Sequence, residues 1–126
     1  MKKMIAIFFL FPGLLWAGHL HPEKWYQDKW CAEQSGKAEV VLPDQTRCDC
    51  ITETNAVEVD FARKFYEAIG QSLYYSMLTG KRAGILLIIE DPGDLKYWDR
   101  MNETIRCFGL PVDCWRIGPL IRNPKN

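Results

Sequence analysis

Neither sign of charge is in excess in this sequence, in which 16 lysines and arginines face 16 aspartates and glutamates. A protein that coats nucleic acid is as a rule strongly basic, so tight nonspecific binding is excluded, whereas transient local contact is not. No C-x-x-C pair occurs among the five cysteines, and the only two histidines, His19 and His21, sit together near the start. A structural zinc site is therefore not expected. No uninterrupted apolar run approaches the ~20 residues of a transmembrane helix; the longest, Met4 to Trp16, is broken by Pro12 and Gly13. Internal repeats, low-complexity tracts and long linkers are also missing, which leaves one small domain as the expected organisation.

The sequence opens instead with Lys2 and Lys3, the short apolar run and the small residue Ala17, which is the layout of a secretory signal. Residues 1–17 are expected to be a signal peptide, cleaved after Ala17, with 18–126 as the domain. An uncleaved membrane anchor is the alternative, because Leu15 is a poor residue three positions before the cut. Once the signal is removed no stable membrane insertion is expected, and the chain is exported, periplasmic or secreted, from a bacterial cell. Cysteines in a short exported chain point to disulfides. Cys107 is expected to pair with Cys114, and Cys31 with either Cys48 or Cys50, since Cys48 and Cys50 lie two apart on one strand and are poorly placed to bond each other.

Pro22 can open a helix that runs to about Gln34 with Trp25, Tyr26, Trp30 and Cys31 as its apolar face. Lys37 to Leu42 reads as a strand, Pro43 and Asp44 turn into a second strand carrying Asp49, and another turn within Thr52 to Asn55 leads to a third over Ala56 to Phe61. Ala62, Phe65, Tyr66, Ile69, Leu73 and Met77 recur at helical spacing, and Gly80 ends that helix. Ile85 to Ile89 is an apolar run typical of a strand covered on both faces. Asp94 to Phe108 is a helix with Leu95, Trp98, Met101, Ile105 and Phe108 inward, and Pro111 to Ile117 a last strand. The fold class is α/β, a small mixed sheet flanked by helices in the order αβββαβαβ.

Side chains alternate along a strand, so Glu58 and Asp60 share one face while Val57, Val59 and Phe61 take the other. Asp49 can add a third carboxylate from the preceding strand, and three carboxylates suit a divalent cation. On the following helix Lys64, Gln71 and Tyr75 fall within roughly 20° of one line at 100° per residue. Such a line is more often a solvated face. Here no charged residue occurs from Ala68 to Thr79, so the face is expected to be covered, with Gln71 and Tyr75 in need of partners.

The order Asp49, then Glu58-x-Asp60, then Lys64, then Gly70-Gln71-x-x-x-Tyr75 resembles the PD-(D/E)XK nuclease superfamily, in particular its RecB-like branch with a Q-x-x-x-Y helix. The resemblance spans roughly Gly36 to Glu90. It implies a restriction-endonuclease-like core and metal-dependent phosphodiester hydrolysis, with nucleic acid as a transient substrate. It also implies Mg2+ or Mn2+ held by Asp49, Glu58 and Asp60, and a catalytic set completed by Lys64, Gln71 and Tyr75. One position departs: Asp60 stands where the family has a lysine, and the nearest lysine is Lys64 on the helix, a migration that some branches show. Glu39, upstream in the first strand, matches an additional acid of some related nucleases, although a solvent-facing strand glutamate is the plainer reading. The alternative function is a catalytically inactive, nuclease-fold secreted binding or scaffold protein. A carboxylate-pair glycosidase is weaker, for want of an aromatic sugar platform.

Overall fold

The computed structural model describes residues 18–119. The expected signal over 1–17 and the tail at 122–126 lie outside the described residues. Between them run α1 (Glu23–Glu33), β1 (Lys37–Val41), β2 (Arg47–Ile51), β3 (Asn55–Phe61), a 3-10 turn (Ala62–Lys64), α2 (Phe65–Thr79), β4 (Arg82–Ile88), a second 3-10 turn (Pro92–Asp94), α3 (Leu95–Phe108) and β5 (Val112–Ile117). One five-stranded sheet has the order β1-β2-β3-β4-β5. Its first two pairings are antiparallel and its last two parallel. Short turns suffice for the former, while each parallel pair needs a crossover, supplied by α2 and α3. The expected element order and the mixed α/β class are those observed.

Helices cover both faces. Under α1, Tyr26, Trp30 and Cys31 pack on Cys50, Val57, Val59, Leu86 and Ile88. Opposite, Phe65 and Ala68 of α2 and Met101 of α3 pack on Ala83, Ile85, Leu87, Val112 and the following Ile89. β4 lies between the two layers, which is why it is apolar on both faces. The buried stripe of α2 differs from the one expected: Phe65, Ala68, Ser72 and Tyr75 face the sheet, while Tyr66 and Met77 are exposed by 70% and 69%. The small Ala68 and Ser72 let the helix approach closely, and the Ser72 hydroxyl donates to the Ile69 carbonyl at 3.0 Å, so its burial leaves no unpaired group. On α3 only Met101 is buried; Leu95 and Phe108 lie in solvent.

Cys31 of α1 is bonded to Cys50 of β2, one of the two pairings expected. Gly36 lies against this bond so closely that a Cβ there would come within 2.8 Å of the Cys50 Sγ and 2.9 Å of the Cys31 Sγ. The expected Cys107–Cys114 bond does not form. Cys107 is exposed at the end of α3, whereas Cys114 is half buried against the core beneath that helix, and both are free thiols. Cys48 and Cys50, two apart on one strand, do not share a face. Cys50 packs under α1, and Cys48 joins Tyr75 of α2 and Ala56. The regular alternation breaks between them at Asp49, opposite which Glu39 adopts φ 53°. Bridges flank this rung at Ala38↔Cys50 and Val40↔Cys48.

Candidate metal and phosphodiester site

β2 and β3 stay paired for only two rungs, Cys50↔Val57 and Ile51↔Ala56. β3 continues to Phe61 beside β4 alone, so the two strands open as a fork. The Val59 N–H, which a longer ladder would have engaged, donates to Asp49 Oδ2 at 2.8 Å. That bond fixes the Asp49 carboxylate inside the fork. Val57 and Val59 turn toward α1, and alternation sends Glu58 and Asp60 to the other face, as expected.

Burial and mutual repulsion dominate the chemistry of these acids. Glu58 and Asp60 are exposed by only 6% and 5%. Desolvation raises the Glu58 carboxyl far above its ordinary range, and the charges of Asp49 and Asp60 push it further. Asp60 is raised by burial, then by Glu23 and Asp49, with Lys64 acting in the opposite sense. Asp49 is raised by burial, against the lowering effect of the Val59 N–H and of a hydrogen bond shared with Glu58. Glu58 therefore holds a proton between itself and Asp49 at neutral pH, in the manner of carboxyl pairs too close for both to ionise. Asp60 shares a hydrogen bond with the Glu58 carboxyl, which lowers it, and its Oδ2 is buried with no N–H or hydroxyl group to accept from.

α1 brings in a fourth acid that the sequence reading missed. Glu23, in its first turn, is raised by burial and then by Asp49, and lowered by Lys64. Its signal in the sequence was faint: a first-turn glutamate after Pro22 reads as an ordinary complement to the helix dipole. Of the expected helical line, Lys64 closes the 3-10 turn ahead of α2 and acts electrostatically on Asp60 and Glu23. Tyr75 is buried, and its phenol is raised to about 12 by desolvation and by the neighbouring Glu58, Asp49 and Cys48. Gln71 is exposed, so the expected cover over that face does not reach it. Glu39 is exposed and lies 3.9 Å from Lys24 Nζ, while its charge still acts on Asp49.

Beside the acids a cavity of about 270 Å3 is lined by His19, Glu23, Phe61, Lys64 and Asp94. A second, of about 440 Å3, shares His19, Arg63 and Asp94 with it and extends to Lys96 and Tyr97. Together they form a cleft beyond the carboxyl ends of β3 and β4, the usual ligand position for parallel strands. Glu90 closes one wall. Its carboxylate accepts from Tyr26 Oη at 2.6 Å and from the Leu20 and His21 N–H groups at 2.8 and 3.2 Å, with His19 Nδ1 at 2.9 Å. His19 stacks on Phe61.

Hard carboxylate oxygens suit Mg2+ or Mn2+, and the Asp60 oxygen that lacks an N–H or hydroxyl donor fits a ligand atom. As the side chains stand, no group of three or more His, Cys, Asp and Glu among the described residues could hold a metal ion, so Asp49, Glu58 and Asp60 would have to draw together around one. No helix among the described residues is long and apolar enough to cross a membrane. Comparison with family models, curated proteins and solved structures finds no match.

Proposed function

We propose that this chain is an exported nuclease of PD-(D/E)XK type that hydrolyses phosphodiester bonds with Mg2+ or Mn2+ held by Asp49, Glu58 and Asp60. The observation that carries this reading is the β2–β3 fork, which gathers buried carboxylates and leaves Asp60 Oδ2 without an N–H or hydroxyl donor. A bound divalent ion would activate water and offset charge on the phosphate. Glu58 gives up its proton as the site becomes cationic, so occupation is coupled to proton release. Lys64, close enough to act on Asp60 and Glu23, neutralises charge developing on the phosphate, in place of the motif lysine whose position Asp60 occupies. Tyr75, buried beside Cys48 and Ala56 and close enough for the charges of Glu58 and Asp49 to act on it, backs the acidic site, and Gln71 on the outer surface contacts the substrate backbone. The Cys31–Cys50 bond accords with an oxidising destination.

The test is incubation of the purified, oxidised protein with plasmid, linear and single-stranded DNA and with RNA, with Mg2+ or Mn2+ and then with chelator. Cleavage that chelator abolishes, and that Asp49→Ala removes with the fold intact, is expected. One observation favours a second reading, a catalytically silent binding protein of the same fold: the lysine position holds the acid Asp60. Absence of both cation binding and cleavage would select that reading.

A further inference from the structure

Phe108 and Tyr66 are the two most exposed large apolar side chains among the described residues, at 74% and 70%. They stand in one place. Both line a groove of about 370 Å3 between α2 and α3, into which Phe65 reaches from the core to stack on Tyr66 with ring centres 4.0 Å apart. The α3 wall is the stripe Arg100, Glu103, Thr104, Cys107 and Phe108, whose members recur three or four apart and so share one side of the helix. Clustered apolar surface of this kind, rimmed by polar residues, marks a surface that another molecule covers.

Arg100 and Glu103 select that molecule. Neither takes part in any ion pair among the described residues, and the Arg100 guanidinium rests over the Tyr97 ring at 5.6 Å. One cation beside one anion gives the groove no net attraction for a phosphate backbone, which calls for a basic surface. It does make the groove its own complement. A two-fold axis sets residue i of one copy against residue j of the other, and j against i. An axis passing α3 between these two residues, about 4.5 Å apart along the helix, therefore pairs Arg100 of each copy with Glu103 of the other. Thr104 adjoins that axis with a small side chain, and its hydroxyl already donates to the Arg100 carbonyl at 2.8 Å, so covering it strands no polar group. We infer that the α2–α3 groove is the interface of a homodimer, in which Phe108 and Tyr66 leave water and two reciprocal Arg100–Glu103 pairs fix the register. The inference stands apart from the nuclease reading and needs no cation.

The test is sedimentation equilibrium of the oxidised protein carrying Cys107→Ser, which rules out a covalent link between copies. Twice the chain mass is expected, and Phe108→Asp should give the single mass with an unchanged thermal midpoint, since that ring lies outside the core. Arg100→Glu and Glu103→Arg, each alone, set like charges across the axis and should weaken self-association by about tenfold or more. Mixed one to one, the two variants restore both pairs and should form a heterodimer as tight as the unaltered dimer. A single chain mass at every concentration overturns the inference, as does a dimer that Phe108→Asp leaves intact. Failure of the mixed variants to associate overturns the two-fold pairing, and a single chain that gains mass only with an added oligonucleotide assigns the groove to nucleic acid instead.

Discussion

Under the proposed nuclease reading, Glu58 is the residue at which stability and function pull apart. Its carboxyl is buried, its pKa is raised by desolvation and then by Asp49 and Asp60, and ionising it without a cation costs the fold. Glu58→Gln removes that charge and keeps the shape, so the cation-free variant should be more stable than the native chain at pH 8, by on the order of 1 kcal/mol or about 4–8 °C in Tm. At pH 4, where the native Glu58 keeps its proton, the gain should vanish. Cleavage should be lost at every pH, and parallel thermal melts and nuclease assays would show the two effects side by side. Lys64→Met should lower cleavage by on the order of a hundredfold, as loss of an electrostatic stabiliser commonly does, with Tm nearly unchanged because the side chain is exposed.

Among the elements, α1 depends most on a single bond. It carries Glu23, and Cys31 ties it to the strand that carries Asp49. Replacing both Cys31 and Cys50 by alanine should lower stability by about 2–4 kcal/mol, and amide exchange should rise first over 23–33 while β4 stays protected. Equal protection of α1 in both forms would remove the disulfide from this role. The elements themselves are legible in the sequence, since the strand of Ile85 to Ile89, the Gly80 cap and the alternation of Val57, Glu58, Val59 and Asp60 each follow from a local rule. The fork is not legible. Two rungs of pairing followed by a backbone N–H given to Asp49 is a relation between strands ten residues apart, and no periodicity records it. The burial of Ser72 in place of Tyr66 escapes for a similar reason, because hydropathy ranks residues by size and polarity whereas a sheet selects for close approach. The half-buried Cys114 and the exposed Cys107 show that proximity in sequence does not orient two thiols.

For the molecule as a whole the acids predict an unusual response to pH. Glu23, Asp49, Glu58 and Asp60 all have raised pKa values. As pH climbs past the ordinary carboxylate range the unfolded chain loses these protons while the folded chain keeps them, so stability falls with rising pH until the raised values are passed. Glu90 acts in the opposite sense: despite its burial, hydrogen bonds from Tyr26, His19 and two backbone N–H groups hold it below its usual value, and its contribution is lost as pH drops through the acid range. The cation-free Tm should therefore decline from about pH 5 to pH 8, and saturating Mn2+ should flatten that decline by favouring the ionised carboxylates. A Tm that rises through this interval without cation would contradict the assignment of raised carboxyls. The left-handed turn of Glu39 bears on how separate copies behave. β1 is a sheet edge, and a straight free edge offers a template on which a second chain can align and begin an aggregate. A residue at φ 53° in the middle of that five-residue edge, beside the charge of Lys37, denies an incoming strand a continuous partner, so concentrated solutions of the folded protein should resist edge-to-edge growth.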